Sequence, residues 1–235
     1  MSKKKYVHTE SGHNLIAPKE IVPIIADIVK PENVVDVGCG LGTFLYCFKQ
    51  QGIKEVLGID GAWVNKSLLY KNIKSNEFIE ADLEKPFNLA KRFDLAICLE
   101  VVEHLKEEVS DDIVQNLVSL SNIILFSAAI PNQGGQNHIN EQWPQYWEEK
   151  FKKHGYIFHD VLRQIFWHNE KIDSFYKQNC FLVAKYDYVL DSDMIDKYKS
   201  SKVINLVHPD LFLKMHKRTP GGFMQSLVNK LWNKK

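Results

Sequence analysis

Val34-Val35-Asp36-Val37-Gly38-Cys39-Gly40-Leu41-Gly42-Thr43-Phe44 is the stretch on which the fold of this chain turns. A β-branched run feeds a turn with glycine at every second position, and an apolar stretch follows. The pattern predicts a buried strand, a tight loop whose backbone a ligand can approach closely, and the start of a helix. Asp36, two residues before the first glycine, gives the turn its chemical character.

Outward from this turn, strand and helix signals alternate. Upstream, Pro18 opens a helical pattern of Ile21, Ile24, Ile25 and Ile28 that ends near Pro31. The polar segment before it carries His8, Ser11, His13 and Asn14 and reads as an ordered cap over a site or as a mobile tail. Downstream come a helix over 44–51, a strand over 55–59 closing on Asp60, a helix over 64–71 and a short strand over 77–80. A strand over 93–99, a helix over 103–120 and a strand over 122–126 follow. This order predicts a Rossmann-like, doubly wound α/β domain with a mostly parallel sheet and helices on both faces. Beyond Pro131 a glycine- and amide-rich loop leads to Pro144, a suitable first residue for a helix that ends at Gly155. Segments 156–166 and 179–186 read as two more strands, a closing antiparallel pair.

At 235 residues the chain suits one such domain, placed at 1–200, with 201–235 as a C-terminal tail. Thirty basic residues against 29 acidic ones leave a formal charge of +1, so the molecule as a whole is no polyanion trap. No proline motif of a base-modifying enzyme and no continuous basic groove is visible, which argues against a nucleic-acid partner. Cys39, Cys47, Cys98 and Cys180 are scattered and read as reduced core thiols. Lys3-Lys4-Lys5 has no apolar stretch behind it, and no window reaches the roughly 18 apolar residues of a spanning helix. A soluble, cytoplasmic protein is the expectation. In the tail, Phe223, Leu227, Leu231 and Trp232 fall at helical spacing among Lys217, Arg218, Lys230, Lys234 and Lys235. Such a basic amphipathic end can rest on an anionic membrane surface or dock on its own domain.

The glycine turn selects its ligand by charge. The spacing G-x-G-x-G is one residue shorter than the dinucleotide fingerprint, and Asp36 would place a carboxylate near any bound phosphate. S-adenosylmethionine, with an ammonium, a sulfonium and no phosphate, reverses the sign. Asp60 ends the next strand, where a carboxylate can accept from both ribose hydroxyls. Asp82 ends the third and can accept from an adenine amino group, with Leu83 packing on the ring.

Val35-Asp36-Val37-Gly38-Cys39-Gly40-Leu41-Gly42 resembles the first signature of class I S-adenosylmethionine-dependent methyltransferases. Leu57-Gly58-Ile59-Asp60-Gly61 resembles the second and Ile79-Glu80-Ala81-Asp82-Leu83 the third. Phe93-Asp94-Leu95-Ala96-Ile97-Cys98-Leu99-Glu100-Val101-Val102-Glu103-His104-Leu105 resembles the fourth strand and its following segment. The resemblance covers roughly residues 31–130. It implies a seven-stranded sheet with an antiparallel last strand and S-adenosylmethionine as cofactor, leaving as S-adenosylhomocysteine; the residue pattern adds an N-terminal helix and cap and a C-terminal helical tail. The resemblance also implies that the methionine end lies on Asp36, Gly38 and Gly40, with ribose on Asp60 beside Gly61. Adenine then lies near Asp82 and Leu83, and Leu99 and Glu100 stand beside the cofactor.

Transfer to a hydroxyl calls for a base with a pKa near neutrality, and histidine fits at about 6.5. His138, in the loop after the fifth strand, is the leading candidate, with Glu141 to orient it; His104 is the second. Asn140, Gln142, Trp143 and Tyr146 offer amides and rings for a polyhydroxy acceptor, whereas Trp147 and Phe151 read as a core face. The run Gly134-Gly135-Gln136-Asn137-His138-Ile139-Asn140-Glu141-Gln142-Trp143-Pro144-Gln145-Tyr146-Trp147 resembles a segment of bacterial methyltransferases encoded with glycan-biosynthesis enzymes, as do Tyr176-Lys177-Gln178-Asn179 and Val207-His208-Pro209-Asp210. That resemblance implies a sugar or sugar-nucleotide O-methyltransferase of surface polysaccharide assembly. The alternatives are a phosphate-containing or quinone-like acceptor and, from another class, a non-catalytic cofactor-binding subunit. No metal is assigned; magnesium at His138, Glu141 and another acid, and a homodimer, stay open.

Overall fold

The computed structural model describes residues 6–188 and 205–218. Parallel neighbours in a sheet need a crossover long enough to carry the chain back over one face, and the helical stretches between the apolar runs supply it. Helix α1 (Ile16–Val29) precedes β1 (Asn33–Val37), α2 (Thr43–Gln50), β2 (Glu55–Asp60), the single-turn α3 (Lys66–Leu69) and β3 (Phe78–Glu80). Then follow β4 (Leu95–Leu99), α4 (Ser110–Leu120), β5 (Ile123–Ser127), α5 (Pro144–Lys152) and β6 (Tyr156–His159). Last come α6 (Leu162–Phe166), α7 (Ser174–Asn179), β7 (Phe181–Lys185) and α8 (Pro209–Arg218).

The strands form one seven-stranded sheet in the order β3-β2-β1-β4-β5-β7-β6. β1 to β5 run parallel, and β7 inserts antiparallel between β5 and β6. This is the sheet expected from the sequence. β5 is buried along its whole length, so its free edge has to be covered, and the apolar β7 covers it. Chain order reverses between β1 and β4, which opens a crevice at the carboxyl ends of the strands there.

Period-two alternation divides the core. Val34, Leu95, Ile97, Leu125 and Leu182 face one layer with Ile21 and Ile25 of α1 and Phe48 of α2. Val35, Ala96, Cys98, Phe126 and Val183 face the other, with Ile113 and Leu117 of α4 and Trp147 and Phe151 of α5. Each of these side chains leaves water almost completely, which stabilises the fold by roughly 1.5–3 kcal/mol for a large aliphatic or aromatic residue. All four cysteines are buried and unpaired.

Three elements are shorter than the pattern predicts. The helix expected over 103–120 begins at Ser110. Before it lie two 3-10 turns, Val102–His104 and Glu107–Val109, separated by extended backbone at Leu105 and Lys106. The strand expected over 156–166 stops at His159, because Asp160 pairs with Arg163 three residues on and closes the first turn of α6. The helix expected over 64–71 is reduced to α3, capped by the Asn65 side chain on the Leu68 amide.

Past the sheet, His208 packs its ring on Trp167 with centroids 4.2 Å apart, and Leu211 of α8 is buried. Residues 205–211 of the expected tail thus lie against the domain. Phe223, Leu227, Leu231 and Trp232 fall outside the described residues. Among the described residues no helix is long and apolar enough to cross a membrane.

Candidate active site

A pocket opens in the crevice at the ends of β1, β2 and β4. Asp36, Gly38, Cys39, Asp60, Leu83, Leu99, Glu100 and His104 are among the residues that line it. The glycine turn is held against β2, where the Gly38 and Cys39 amides donate to the Ile59 carbonyl at 2.7 and 3.2 Å. Gly38 has φ +84°, and a Cβ there would lie 2.4 Å from Val101 Cγ2. Only glycine lets the turn pass this close to the segment after β4.

Two carboxylates dominate the electrostatics. Asp36 is 4% exposed, and burial, reinforced by the charge of Asp60, pushes its carboxyl up to about 8. Asp60 Oδ2 accepts from the Gly40 amide at 2.8 Å and Oδ1 from the Gly61 amide at 2.6 Å. Burial raises Asp60 to about 6, and those two amides oppose the rise. A cation entering this pocket would meet two acids whose burial makes their charge expensive without a partner.

Glu100 adds a third acid. Its backbone has φ +53°, an uncommon conformation for a non-glycine residue and one that recurs at functional sites. Asn179 Nδ2 donates to Oε1 at 3.0 Å and Gln133 Nε2 to Oε2 at 2.7 Å. Its amide donates to Ser127 Oγ. Burial raises the Glu100 carboxyl, and the bonds from Asn179, Gln133 and Ser127 act against that.

The fully buried Glu103 is unlike these. The amides of Glu103 and Ala129 approach its oxygens outside good hydrogen-bond geometry and favour the charged form, whereas the facing Glu100 carboxyl favours the protonated one. Burial first and the Glu100 charge second raise it well above the usual carboxylate range.

The Glu103 carbonyl, by contrast, is well used. It accepts from the Ile139 and Asn140 amides at 2.9 and 3.1 Å, tying the amide-rich loop to the turn after β4. This brings His138 against His104, ring centroids 4.8 Å apart and nearly perpendicular. His138 Nδ1 lies 2.8 Å from Glu141 Oε1. Glu141 is itself held by the Gly134 amide at 2.6 Å and the Asn132 amide at 2.7 Å. His104 Nδ1 is buried without a partner, and burial followed by the neighbouring His138 lowers its imidazole to about 4. His104 lines the pocket; His138 and Glu141 stand behind it.

The remaining expected residues lie elsewhere. Asp82 is exposed, accepts from the Glu84 amide and pairs with Lys85, leaving Leu83 to line the pocket. Asn140 is 3% exposed and spends its side chain on Ser110 and Gln142, so it and Gln142 pin the loop instead of facing the cavity. Trp143 is solvent-exposed, and Tyr146 lies under the Lys150 ammonium at 4.7 Å. None of these four residues lines the pocket. The fold packs a side chain with its own helix or loop first, and residue type alone does not reveal this.

Several lining residues come from outside the motif segments. Tyr6, His8 and His13 fold over the glycine turn, the Tyr6 and His104 rings 4.9 Å apart, so the N-terminal segment is an ordered cap. A Cβ on Gly40 would come within 3.0 Å of His13. Burial and the neighbouring imidazoles lower His8 to about 4. Trp63 covers Gly61, and an aromatic residue two positions after that glycine was the one available hint. Asp173, Phe175 and Tyr176 enter from the start of α7, far along the chain.

A family model described as "Methyltransferase domain" matches residues 14–170. The mitochondrial ubiquinone biosynthesis O-methyltransferase of Dictyostelium discoideum is 33% identical over 87 residues. That match covers 31% of this chain and 27% of the relative, so the chain spans about a quarter of that curated protein. Among solved structures, Streptomyces venezuelae DesVI aligns with a TM-score of 0.57 at 11% identity, over 73% of this chain and 91% of its own. S-adenosylmethionine-bound CalS10 from Micromonospora echinaspora, an amino pentose methyltransferase, aligns with a TM-score of 0.55 at 12% identity, over 79% and 99%. At such identities these structures establish the shared fold.

Proposed function

Because the chain belongs to the methyltransferase-domain family and is an S-adenosylmethionine-dependent methyltransferase, we propose that it methylates a hydroxyl of a sugar or sugar nucleotide destined for a bacterial surface polysaccharide. The observation that carries the proposal is one pocket lined both by buried acids and by His104 with its His138–Glu141 support.

In this reading Asp36 receives the cationic methionine end of the cofactor. Asp60, whose oxygens each keep a lone pair beyond the backbone amides, receives the ribose, and Leu83 packs on adenine. The acceptor oxygen bonds to the methyl carbon while the carbon–sulfur bond breaks, its electron pair remaining on sulfur. The hydroxyl proton leaves on the His104 side. The cap of Tyr6, His8 and His13 excludes water, and the protein's chief contribution is alignment of the reacting atoms.

The CalS10 likeness is in keeping with a sugar acceptor, and the Dictyostelium relative favours a second reading, a quinone-like acceptor. Mass-spectrometric screening with nucleotide-activated sugars, lipid-linked sugars and quinols tests both. Methylation of a sugar that is lost in His104→Ala, with S-adenosylhomocysteine binding retained, is the expected result. Methylation confined to quinols would replace the sugar reading by the second, and failure to bind S-adenosylhomocysteine would remove both.

A further inference from the structure

We propose that α8 and the basic chain end that follows it form a docking surface for an anionic membrane. The first observation is a charge asymmetry. The 25 residues from Leu211 to Lys235 carry six Lys or Arg and no Asp or Glu, whereas the 210 before them hold 24 basic residues against 29 acidic ones. The near-neutral total thus hides an acidic body and a strongly basic end. Only that end is drawn to a negative surface.

The second observation is how α8 sits on the domain. His208 and Leu211 are buried. The Gln178 side chain accepts from the His208 amide and donates to the Leu206 carbonyl, and Lys214 Nζ donates to Ser174 Oγ at 2.9 Å. One side of the helix is fixed in this way, and the side chains next to Leu211 are left facing water. Phe212 is 55% exposed and Leu213 53%, and the Phe212 ring lies parallel to that of His216 with centroids 6.0 Å apart. Large apolar side chains in water beside Lys214, with Lys217 and Arg218 next in sequence, make the pattern of a helix that lies in a membrane interface. Beyond the described residues the sequence keeps this character, with Phe223, Leu227, Leu231 and Trp232 among Lys230, Lys234 and Lys235.

Charge and apolarity together select the occupant. A second copy would bring the same basic face against itself, and like charges repel. A nucleic acid would answer the lysines and leave Leu213 in water. A bilayer answers both, since anionic headgroups attract the cations and the acyl boundary takes up the apolar side chains.

The placement bears on methyl transfer. α8 packs on α7, and Phe175 and Tyr176 of α7 line the pocket together with the preceding Asp173. Docking surface and pocket therefore share one short helix. A sugar carried on a membrane lipid is the acceptor class that gains from this arrangement. That consequence rests on the sugar-acceptor reading; the docking does not.

The test sediments the full chain with vesicles of phosphatidylcholine alone and with vesicles containing about 30% phosphatidylglycerol. Binding to the anionic vesicles is expected, at least about tenfold weaker on the neutral ones and weakened by raised salt. Phe212→Ser/Leu213→Ser should lower the affinity at least about tenfold, and Lys217→Gln/Arg218→Gln about 25-fold. S-adenosylhomocysteine binding verifies that each variant is folded. Absence of vesicle binding, equal binding to both vesicle types, or full binding by both double variants overturns the proposal. A dimer in sedimentation velocity that Phe212→Ser/Leu213→Ser dissociates, without vesicle binding, assigns the face to a second copy and overturns it too. The same holds for binding to single-stranded RNA with none to vesicles. If the vesicles bind as expected and no sugar is methylated, the docking surface stands and the sugar reading falls. If soluble sugars are methylated and no vesicle binds, the reading stands and the docking surface falls.

Discussion

Replacing Asp36 by Asn should stabilise the ligand-free protein by an amount that grows with pH, while weakening cofactor binding. The carboxyl ionises at about 8 in the folded chain against 3.8 for an ordinary aspartate, because burial outweighs everything else around it. A raised acid stabilises the folded state fully below its unfolded pKa, and that contribution is lost as pH rises through the folded value. At about 1.36 kcal/mol per unit, the wild type forgoes ~2 kcal/mol at pH 5 and ~4 kcal/mol at pH 7, levelling off above pH 8. Asparagine does not ionise and escapes this loss. Urea unfolding of both proteins at pH 5, 7 and 8.5 measures the difference directly. The same carboxyl should ionise when the cofactor's ammonium arrives, so S-adenosylhomocysteine binding at pH 7 should release up to about one proton. Calorimetry in buffers of different ionisation enthalpy reads that release. A stability difference that stays constant from pH 5 to 8.5, with no buffer dependence of the binding heat, would refute the reasoning.

Two further perturbations probe other parts of the molecule. A Cβ on Gly135 would lie 2.2 Å from His138 Nε2, so Gly135→Ala should displace that imidazole and cut turnover about 100-fold. S-adenosylhomocysteine affinity should be unchanged, and normal turnover would show that His138 has no bearing on transfer. The Asp160–Arg163 pair is buried, with the guanidinium stacked 4.6 Å over Phe181. Asp160→Ala strands that charge and should cost ~3–5 kcal/mol in urea unfolding; a loss below ~1 kcal/mol, typical of an exposed pair, would contradict its structural weight.

The sheet and the acid-lined end of the pocket are legible in the sequence, because both are written locally. Strand faces follow from a period of two, and the glycine turn with Asp36 and Asp60 sits at the strand ends that carry them. The pairing of His138 with Glu141 was also legible, three residues apart in one loop. What faces the cavity follows from long-range packing. His104 stands in front of His138 because two amides of a distant loop close on the Glu103 carbonyl. Asn140 looks like a substrate ligand in sequence and is consumed by Ser110, thirty residues away. Glu103 reads as an ordinary first-turn acid, yet the fold buries it completely against the Glu100 carboxyl. Desolvation is a property of everything packed around a group, so no window of the chain encodes it.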